Sequence, residues 1–466
     1  MEVKELQSRI EGQVMTSTDA GYENLRHESV WNRLTPARYP QMVVQVATEQ
    51  DIVEAVRFAR ANRMKIAVRG GGHSWVGFSL RDESLLIDLG HLTQVSINPQ
   101  TRTAAIQPAV SGRDLNRQLA MHGLAFPVGH CPTVVLSGFL LNGGLGWNFN
   151  NWGPSCFSVE AANVVTADGN LVVANEQQHA DLLWAIRGAG PGFFAVVTKY
   201  YLKLYPVPRA IMTSNYYYPL QRSEEVGTWA ASITERLPKE VELTIFFAPA
   251  PPSAAERCRS SNGFVCIVSA TAFVDTVSEA AATLSILESC PVAHECLQKE
   301  VNQPTPLEAL LAMGGMLWPE RHRYLADTLW SNSPPAQVLA TAREYFLRAP
   351  SPQSLAVFVL ATGGSGSAVP LPDAAFSLRA RALLLCYAIW ERPEDDSANA
   401  AWHRETITAL DPFAMGHYVG ESDIVAHPER AARSFANANW QRLQSLRQQY
   451  DPEGLFHGHF SVLQPQ

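Results

Sequence analysis

Residues 68–77 read Val68-Arg69-Gly70-Gly71-Gly72-His73-Ser74-Trp75-Val76-Gly77 and follow the apolar run Lys65-Ile66-Ala67-Val68. Three successive glycines remove three Cβ atoms, so the backbone can take left-handed dihedrals and bring consecutive N–H groups to an anion, typically a pyrophosphate. The stretch therefore reads as a strand feeding a phosphate-binding loop. His73, fixed at the end of that loop, sits beside whatever the phosphates carry. If that group is a flavin, an imidazole nitrogen is a nucleophile placed to bond its ring methyl. Taken alone, a glycine triplet also fits a flexible turn and a lone histidine fits core packing.

A second glycine-rich stretch changes the balance. Residues 127–147 run from Pro127-Val128-Gly129-His130-Cys131-Pro132-Thr133-Val134 through Leu136-Ser137-Gly138 to Asn142-Gly143-Gly144-Leu145-Gly146-Trp147. A cysteine lies between a histidine and a proline. The two loops bracket one αβ segment.

Upstream of the first loop, Met42 to Val46 reads as a strand. Glu49-Gln50-Asp51 then opens a helix in which Ile52, Val53, Val56, Phe58 and Ala59 recur at helical spacing until Asn62 closes it. This is a βαβ unit. The first 40 residues read as polar and irregular. Downstream, strands are expected at 84–89 and 103–108, a helix at 113–122 stopped by Gly123, and strands at 159–166 and 171–174 joined by the turn Ala167-Asp168-Gly169-Asn170. A short helix at 181–187, the break Gly188-Ala189-Gly190-Pro191-Gly192 and a buried strand through 193–204 follow.

The composition then shifts. From about 208 to 415, strand-like runs (214–218, 241–247, 264–273, 356–362 and 383–390) alternate with helical ones near 222–237, 276–290, 305–313 and 336–349. That alternation predicts a second domain built on a largely antiparallel sheet, and an α+β fold overall. Proline-rich loops at 248–253 and 351–353 and the Gly/Ser stretch 363–367 read as surface connections. The tail reads as a helix over 430–449.

The 466 residues suit two domains or one elaborated domain. A net charge of −8, with acidic and basic residues mixed along the chain, gives no basic stripe for a nucleic-acid partner. The first residues lack the pattern of a secretory signal, and no apolar run reaches membrane-spanning length. A cytoplasmic protein is expected. Its seven cysteines show no CxxC pair or zinc-like spacing with histidine, so neither a metal site nor a disulfide framework is expected.

The chain resembles the berberine bridge enzyme-like flavoprotein oxidases of the vanillyl-alcohol oxidase superfamily over nearly its whole length. The likeness rests on six motifs in order. They are Arg69-Gly-Gly-Gly-His73-Ser74, Gly129-His-Cys131-Pro-Thr-Val134, Gly143-Gly144-Leu-Gly146, Val165-Thr-Ala-Asp168-Gly169, Asp181-Leu-Leu-Trp184-Ala-Ile-Arg187-Gly188 and Tyr450-Asp451-Pro452. The resemblance implies an FAD-binding domain over 1–207, a substrate domain over 208–415 and a return to the FAD domain over 416–466. It also implies that FAD is bonded through His73 at the 8α-methyl and through Cys131 at C6. The candidate cofactor-binding set is Arg69, Gly70, Gly71, Gly72, His73, Ser74, Cys131, Thr133, Val134, Ser137, Gly138, Gly143, Gly144, Gly146 and Val197.

Val134 matches the position at which the family carries valine in oxygen-reactive members, which implies dioxygen as acceptor and hydrogen peroxide as by-product. The expected reaction takes hydride from an alcohol, amine or C–H centre of a small, aromatic or secondary-metabolite substrate, with a base removing the proton. Tyr418 matches the first tyrosine of the family's Tyr-x-Asn-Tyr-like element and is the first candidate base. Glu421 is the second, if buried enough to raise its pKa; its alternative is a salt-bridged structural carboxylate. His417 and His459 are further pocket candidates. The aromatic runs Tyr216-Tyr217-Tyr218 and Phe246-Phe247, with Tyr387 and Trp390, serve either as pocket walls or as strand core. Departures from the family pattern are Gly420 and Glu421, Asn142, Gly192-Phe193-Phe194-Ala195 and His457-Gly458-His459-Phe460. The rival reading is a flavoprotein that uses acid and base groups alone for an isomerisation or cyclisation. Substrate identity and oligomeric state are not legible.

Overall fold

The computed structural model describes residues 3–364, 366 and 370–459. Phe460, the rest of the tail, and residues 365 and 367 of the Gly/Ser stretch therefore lie outside the described residues. Met42–Gln45, helix Glu49–Ala61 and Ile66–Arg69 form the expected βαβ unit. Its strands are not neighbours. Leu85–Asp88 lies between them and pairs in parallel with both, while Gln13–Thr16 closes the far edge antiparallel.

The helix begins at Thr48, whose side chain caps the Asp51 amide. Its buried residues Ile52, Val56 and Ala59 pack in one core with Val44 and Ile87 of this sheet. Val165 and Val196 of the next sheet, and Leu455 and Phe456 of the tail, join the same core. Burial from several sides explains why the apolar periodicity was so readable. The first 40 residues are more ordered than their polarity suggested, with helices at Val3–Arg9 and Tyr22–Glu28 around strand Gln13–Thr16.

A five-stranded antiparallel sheet follows, in the order Val95–Asn98, Thr103–Ile106, Val196–Lys203, Val159–Val165, Leu171–Ala174. Its first strand is an addition to the sequence reading. The tail returns to this half of the molecule. Helix Asn437–Tyr450 packs with its core through Leu443 and Leu446, and the backbone of Ile66 exchanges hydrogen bonds with Leu455 and His457.

The other half is one seven-stranded antiparallel sheet, in the order Gln298–Pro304, Ala210–Pro219, Phe264–Val274, Val241–Pro249, Leu355–Leu360, Ala382–Trp390, Arg323–Ser331. Alternate side chains on a strand point to opposite faces, and the two faces here differ. Tyr216, Tyr218, Leu243, Ile245 and Phe247 pack in one core with Trp229, Phe346 and Trp402 of the helices Ser223–Ile233, Pro335–Phe346 and Asp396–Leu410. The opposite face looks toward the glycine loops. The expected helix over 430–449 is broken into Arg430–Arg433 and Asn437–Tyr450.

Candidate active site

A cavity of about 570 Å³ lies between the glycine loops and the open face of the seven-stranded sheet. The first loop is held against the segment that follows Cys131. A Cβ on Gly70 would stand 1.9 Å from Ser137 Oγ, and one on Gly71 would stand 2.8 Å from Val135. Gly72 has φ +72°, and a Cβ there would meet the Ser29 carbonyl at 2.5 Å. Glycine is thus required by close approach at all three positions, and by backbone conformation at the third.

His73 stacks on Trp31 with ring centroids 4.9 Å apart. Burial pushes its pKa down to about 4 against the opposing pull of the Thr133 carbonyl beside its ring. At neutral pH the imidazole is therefore uncharged. Arg69 forms an ion pair with Asp88 at 2.7 Å and donates to the Glu28 carbonyl. Cys131 Sγ lies 3.6 Å from Thr133 Oγ1, and burial pushes its thiol up. Helix Leu307–Leu317 covers this second loop closely, since a Cβ on Gly314 would stand 2.0 Å from the His130 carbonyl.

The titratable groups of the cavity wall come from two distant parts of the chain. Strand Ala382–Trp390 directs Tyr387 into the cavity wall, where its hydroxyl donates to Glu421 Oε2 at 2.5 Å. Trp75 Nε1 donates to the same oxygen at 3.2 Å. Trp75 is itself fixed by Tyr324, with ring centroids 4.9 Å apart, and it meets Tyr387 edge-on. Burial raises the Glu421 pKa, and the two hydrogen bonds only partly oppose that. No ion pair to Glu421 occurs among the described residues, so it is not the salt-bridged carboxylate of the alternative reading.

Tyr418 is buried in the same wall, its pKa raised far above the ordinary phenol value by burial and by the Glu421 charge. Between them, Gly420 lets the loop pass Asn142, whose Cβ would lie 2.9 Å from a Cβ at that position. That contact accounts physically for glycine where the family pattern carries asparagine.

Residues 40–175 match the FAD-binding domain family. The FAD-linked oxidoreductase penO of Penicillium crustosum is 29% identical over 435 residues, covering 93% of this chain and 92% of the relative. Among solved structures, Physcomitrella patens BBE-like 1 superposes with a TM-score of 0.82 at 19% identity, covering both chains completely (100% of each). The 6-hydroxy-D-nicotine oxidase of Arthrobacter nicotinovorans gives 0.81 at 20% identity, covering 97% of this chain and 98% of its own. The chain is an FAD-linked oxidoreductase, and its fold is that of the berberine bridge enzyme-like proteins.

The cavity fits FAD on its own features. Ser137 Oγ, Asn142 Oδ1, Trp147 Nε1, Trp318 Nε1 and His457 Nε2 are buried without a hydrogen-bond partner among the described residues, and all five residues line the cavity. Unmet polar atoms of this kind call for a polar ligand, and the glycine cradle leaves backbone exposed beside them. Of the expected set, Arg69, Gly70, Gly71, Gly72, His73, Ser74, Cys131, Val134, Ser137, Gly138, Gly146 and Val197 line the cavity, as do Tyr418 and Glu421.

Thr133, Gly143 and Gly144 do not line it. Thr133 supports Cys131 from the side. Gly143 and Gly144 have positive φ and pack under the loop, against Phe376 and against Phe139 and Ser155. His417 also stands outside, with Nδ1 2.6 Å from the Thr328 carbonyl. His459 packs between Gly192, Phe435 and Trp440, while His457, two residues earlier, lines the cavity.

The period of two sorts the aromatic candidates. Tyr217, Phe246 and Tyr387 line the cavity, whereas Tyr216, Tyr218, Phe247 and Trp390 lie in the core on the helix side. Sequence reasoning missed Glu242, a buried carboxylate in the cavity wall with its pKa pushed up to about 7 by burial. It also passed over Arg379, a cavity-lining guanidinium whose pKa burial lowers.

Proposed function

We propose that this FAD-linked oxidoreductase is an oxidase that takes two electrons from an alcohol, amine or C–H centre of a small organic molecule, with Glu421 as the base. When bound beside His73 and Cys131, FAD would supply the hydride acceptor, with dioxygen as the final electron acceptor and hydrogen peroxide as the by-product. The observation that carries the reading is the Glu421–Tyr387–Trp75 cluster on the wall of the cavity that His73 and Cys131 also line. A base must be deprotonated before it acts, and a carboxylate raised by burial is better matched to neutral pH than an unperturbed one. Tyr418 is a neutral phenol there, so it orients substrate while Glu421 takes the proton.

His73 and Cys131 are the residues that would bond the cofactor. The neutral imidazole of His73 has the lone pair a nucleophile needs. The thiol of Cys131 must first lose its proton, so its bond is the more demanding of the two. The aromatic wall of Trp75, Tyr387, Tyr217 and Phe246 suits an aromatic or apolar substrate body. The Penicillium relative is an FAD-linked oxidoreductase, which supports redox chemistry over acid–base isomerisation.

The test is anaerobic mixing of purified protein with a panel of aryl alcohols and amines. Loss of flavin absorbance, restored by air with release of peroxide, is the expected result. Product formed without any loss of absorbance would establish the isomerase or cyclase reading instead.

A further inference from the structure

The cavity face of the seven-stranded sheet is graded from polar to apolar along its strands. Thr213 pairs with Thr271, and Thr271 with Glu242, in one row. Asn215, Ser269 and Thr244 form the next row, and Tyr217, Ile267 and Phe246 the one after. The apolar side continues through Val357 and Leu385 to Tyr387, which is paired with Leu355. Leu355 is one step from Ala356, which is paired with Phe247. At about 3.3 Å per residue, the Glu242 end of the sheet is ~20 Å along the strand direction from the Tyr387 end.

Glu242 stands at the polar end and is 8% exposed. One carboxylate oxygen, Oε1, accepts the Phe149 amide at 3.0 Å, with the Asn148 backbone beside it. No ion pair to Glu242 occurs among the described residues. The neighbouring strands and the segment carrying Phe149 bring it Thr271, Thr213, Asn150 and backbone groups, none of which is charged. A buried carboxylate is costly unless a cation or several donors compensate it. A merely structural acceptor for the Phe149 and Asn148 amides could equally be a glutamine.

We propose that Glu242 is a substrate-anchoring residue that receives a protonated amine at the polar end of the cavity, remote from Glu421, so that the enzyme takes an elongated apolar molecule with a terminal amine. The inference rests on the oxidase reading, because it takes the cavity to be the substrate site. Glu242 positions substrate and touches no reacting atom. The rows of Tyr217, Ile267 and Phe246, and then Leu385 and Tyr387, cover the apolar body between the two carboxylates.

The test is binding of 6-phenylhexylamine and of its uncharged counterpart heptylbenzene to the FAD-loaded protein, followed by the change in flavin absorbance. Wild-type protein binds the amine more tightly, and Glu242→Gln weakens the amine about tenfold or more while leaving heptylbenzene unchanged. Glu242→Asp keeps the charge but withdraws it by one methylene, and it shifts the preference toward 7-phenylheptylamine. That shift supports the proposal even if Glu242→Gln fails to fold. Equal affinity of wild-type protein for amine and hydrocarbon overturns it, as does equal weakening of both probes in Glu242→Gln. Flavin content and bleaching by dithionite are read on the same samples. A wild-type protein that holds no reducible flavin overturns the oxidase reading and this one with it, whereas normal flavin without amine preference overturns this one alone.

Discussion

The Tyr387 hydroxyl donates to Glu421 Oε2 at 2.5 Å, joining the last-but-one strand of the large sheet to the loop that carries Tyr418. Trp75, two residues after His73, donates to the same oxygen. One carboxylate thus ties the cofactor loop, the substrate sheet and the C-terminal segment together at the cavity wall. Glu421→Gln keeps the shape and removes the proposed base. It is expected to lower kcat by about 10²–10⁴ with flavin content unchanged, measured as steady-state peroxide release.

The same bond sets a pH dependence. Burial raises the Glu421 pKa, and the Tyr387 and Trp75 hydrogen bonds lower it by stabilising the anion. As the proposed base, Glu421 acts deprotonated, so the rate falls as pH drops through its pKa. Tyr387→Phe removes one stabilising donor, so the acidic limb of the kcat/KM profile moves to higher pH. A limb that stays in place, or moves down, contradicts the assignment.

The first glycine loop makes a structural prediction. Gly72→Ala forces a side chain into the left-handed region, at about 1–2 kcal/mol, and drives its Cβ against the Ser29 carbonyl. Both lower stability, and the loop must shift from its place beside the cavity. Flavin occupancy falls with stability in this variant, as read by the ratio of visible to ultraviolet absorbance and by urea unfolding.

Asp51 supports the βαβ unit that carries the loop. Burial pushes its carboxyl up, but the amides of Ala47, Glu11 and Gly12 and the Thr48 hydroxyl outweigh that and hold it below the usual range. A carboxylate whose folded pKa is depressed contributes stability that is present above the unfolded value of about 3.9 and is lost as pH falls through the folded value. Asp51→Asn is expected to cost about 2–4 kcal/mol at pH 7, with the two proteins converging in acid. Urea unfolding at pH 7 and near pH 3 measures both.

Val134 lines the cavity three residues past Cys131. Val134→Ile is expected to slow oxygen consumption while leaving reduction of an artificial dye acceptor intact. Stopped-flow mixing with air-saturated buffer and with dye separates the two.

The parts of this architecture that were legible in the sequence are those where local pattern and burial agree. Helix Glu49–Ala61 is enclosed by two sheets and the tail, so its apolar spacing is strong. Strand Gln298–Pro304 was missed because it lies at the sheet edge and is polar nearly throughout. Arg323–Ser331 was missed because it carries Asp327, whose buried partner Arg430 lies about a hundred residues later. The same limit governs the site. His73 and Cys131 announce themselves within loops, but the partnership of Glu421 with Tyr387 and Trp75 exists only after folding. Glu242 was hidden inside the apolar run Val241 to Phe247, where only the register shows which side chains face the cavity.

The central claim is that one cavity holds FAD by bonds to both His73 and Cys131. It is tested most directly by precipitating the protein with acid and recording where the yellow colour goes, for the wild type, His73→Ala, Cys131→Ala and the double variant. The account predicts colour in the pellet for the wild type and both single variants, and colour released only from the double variant. Colour in the supernatant of the wild type would contradict it.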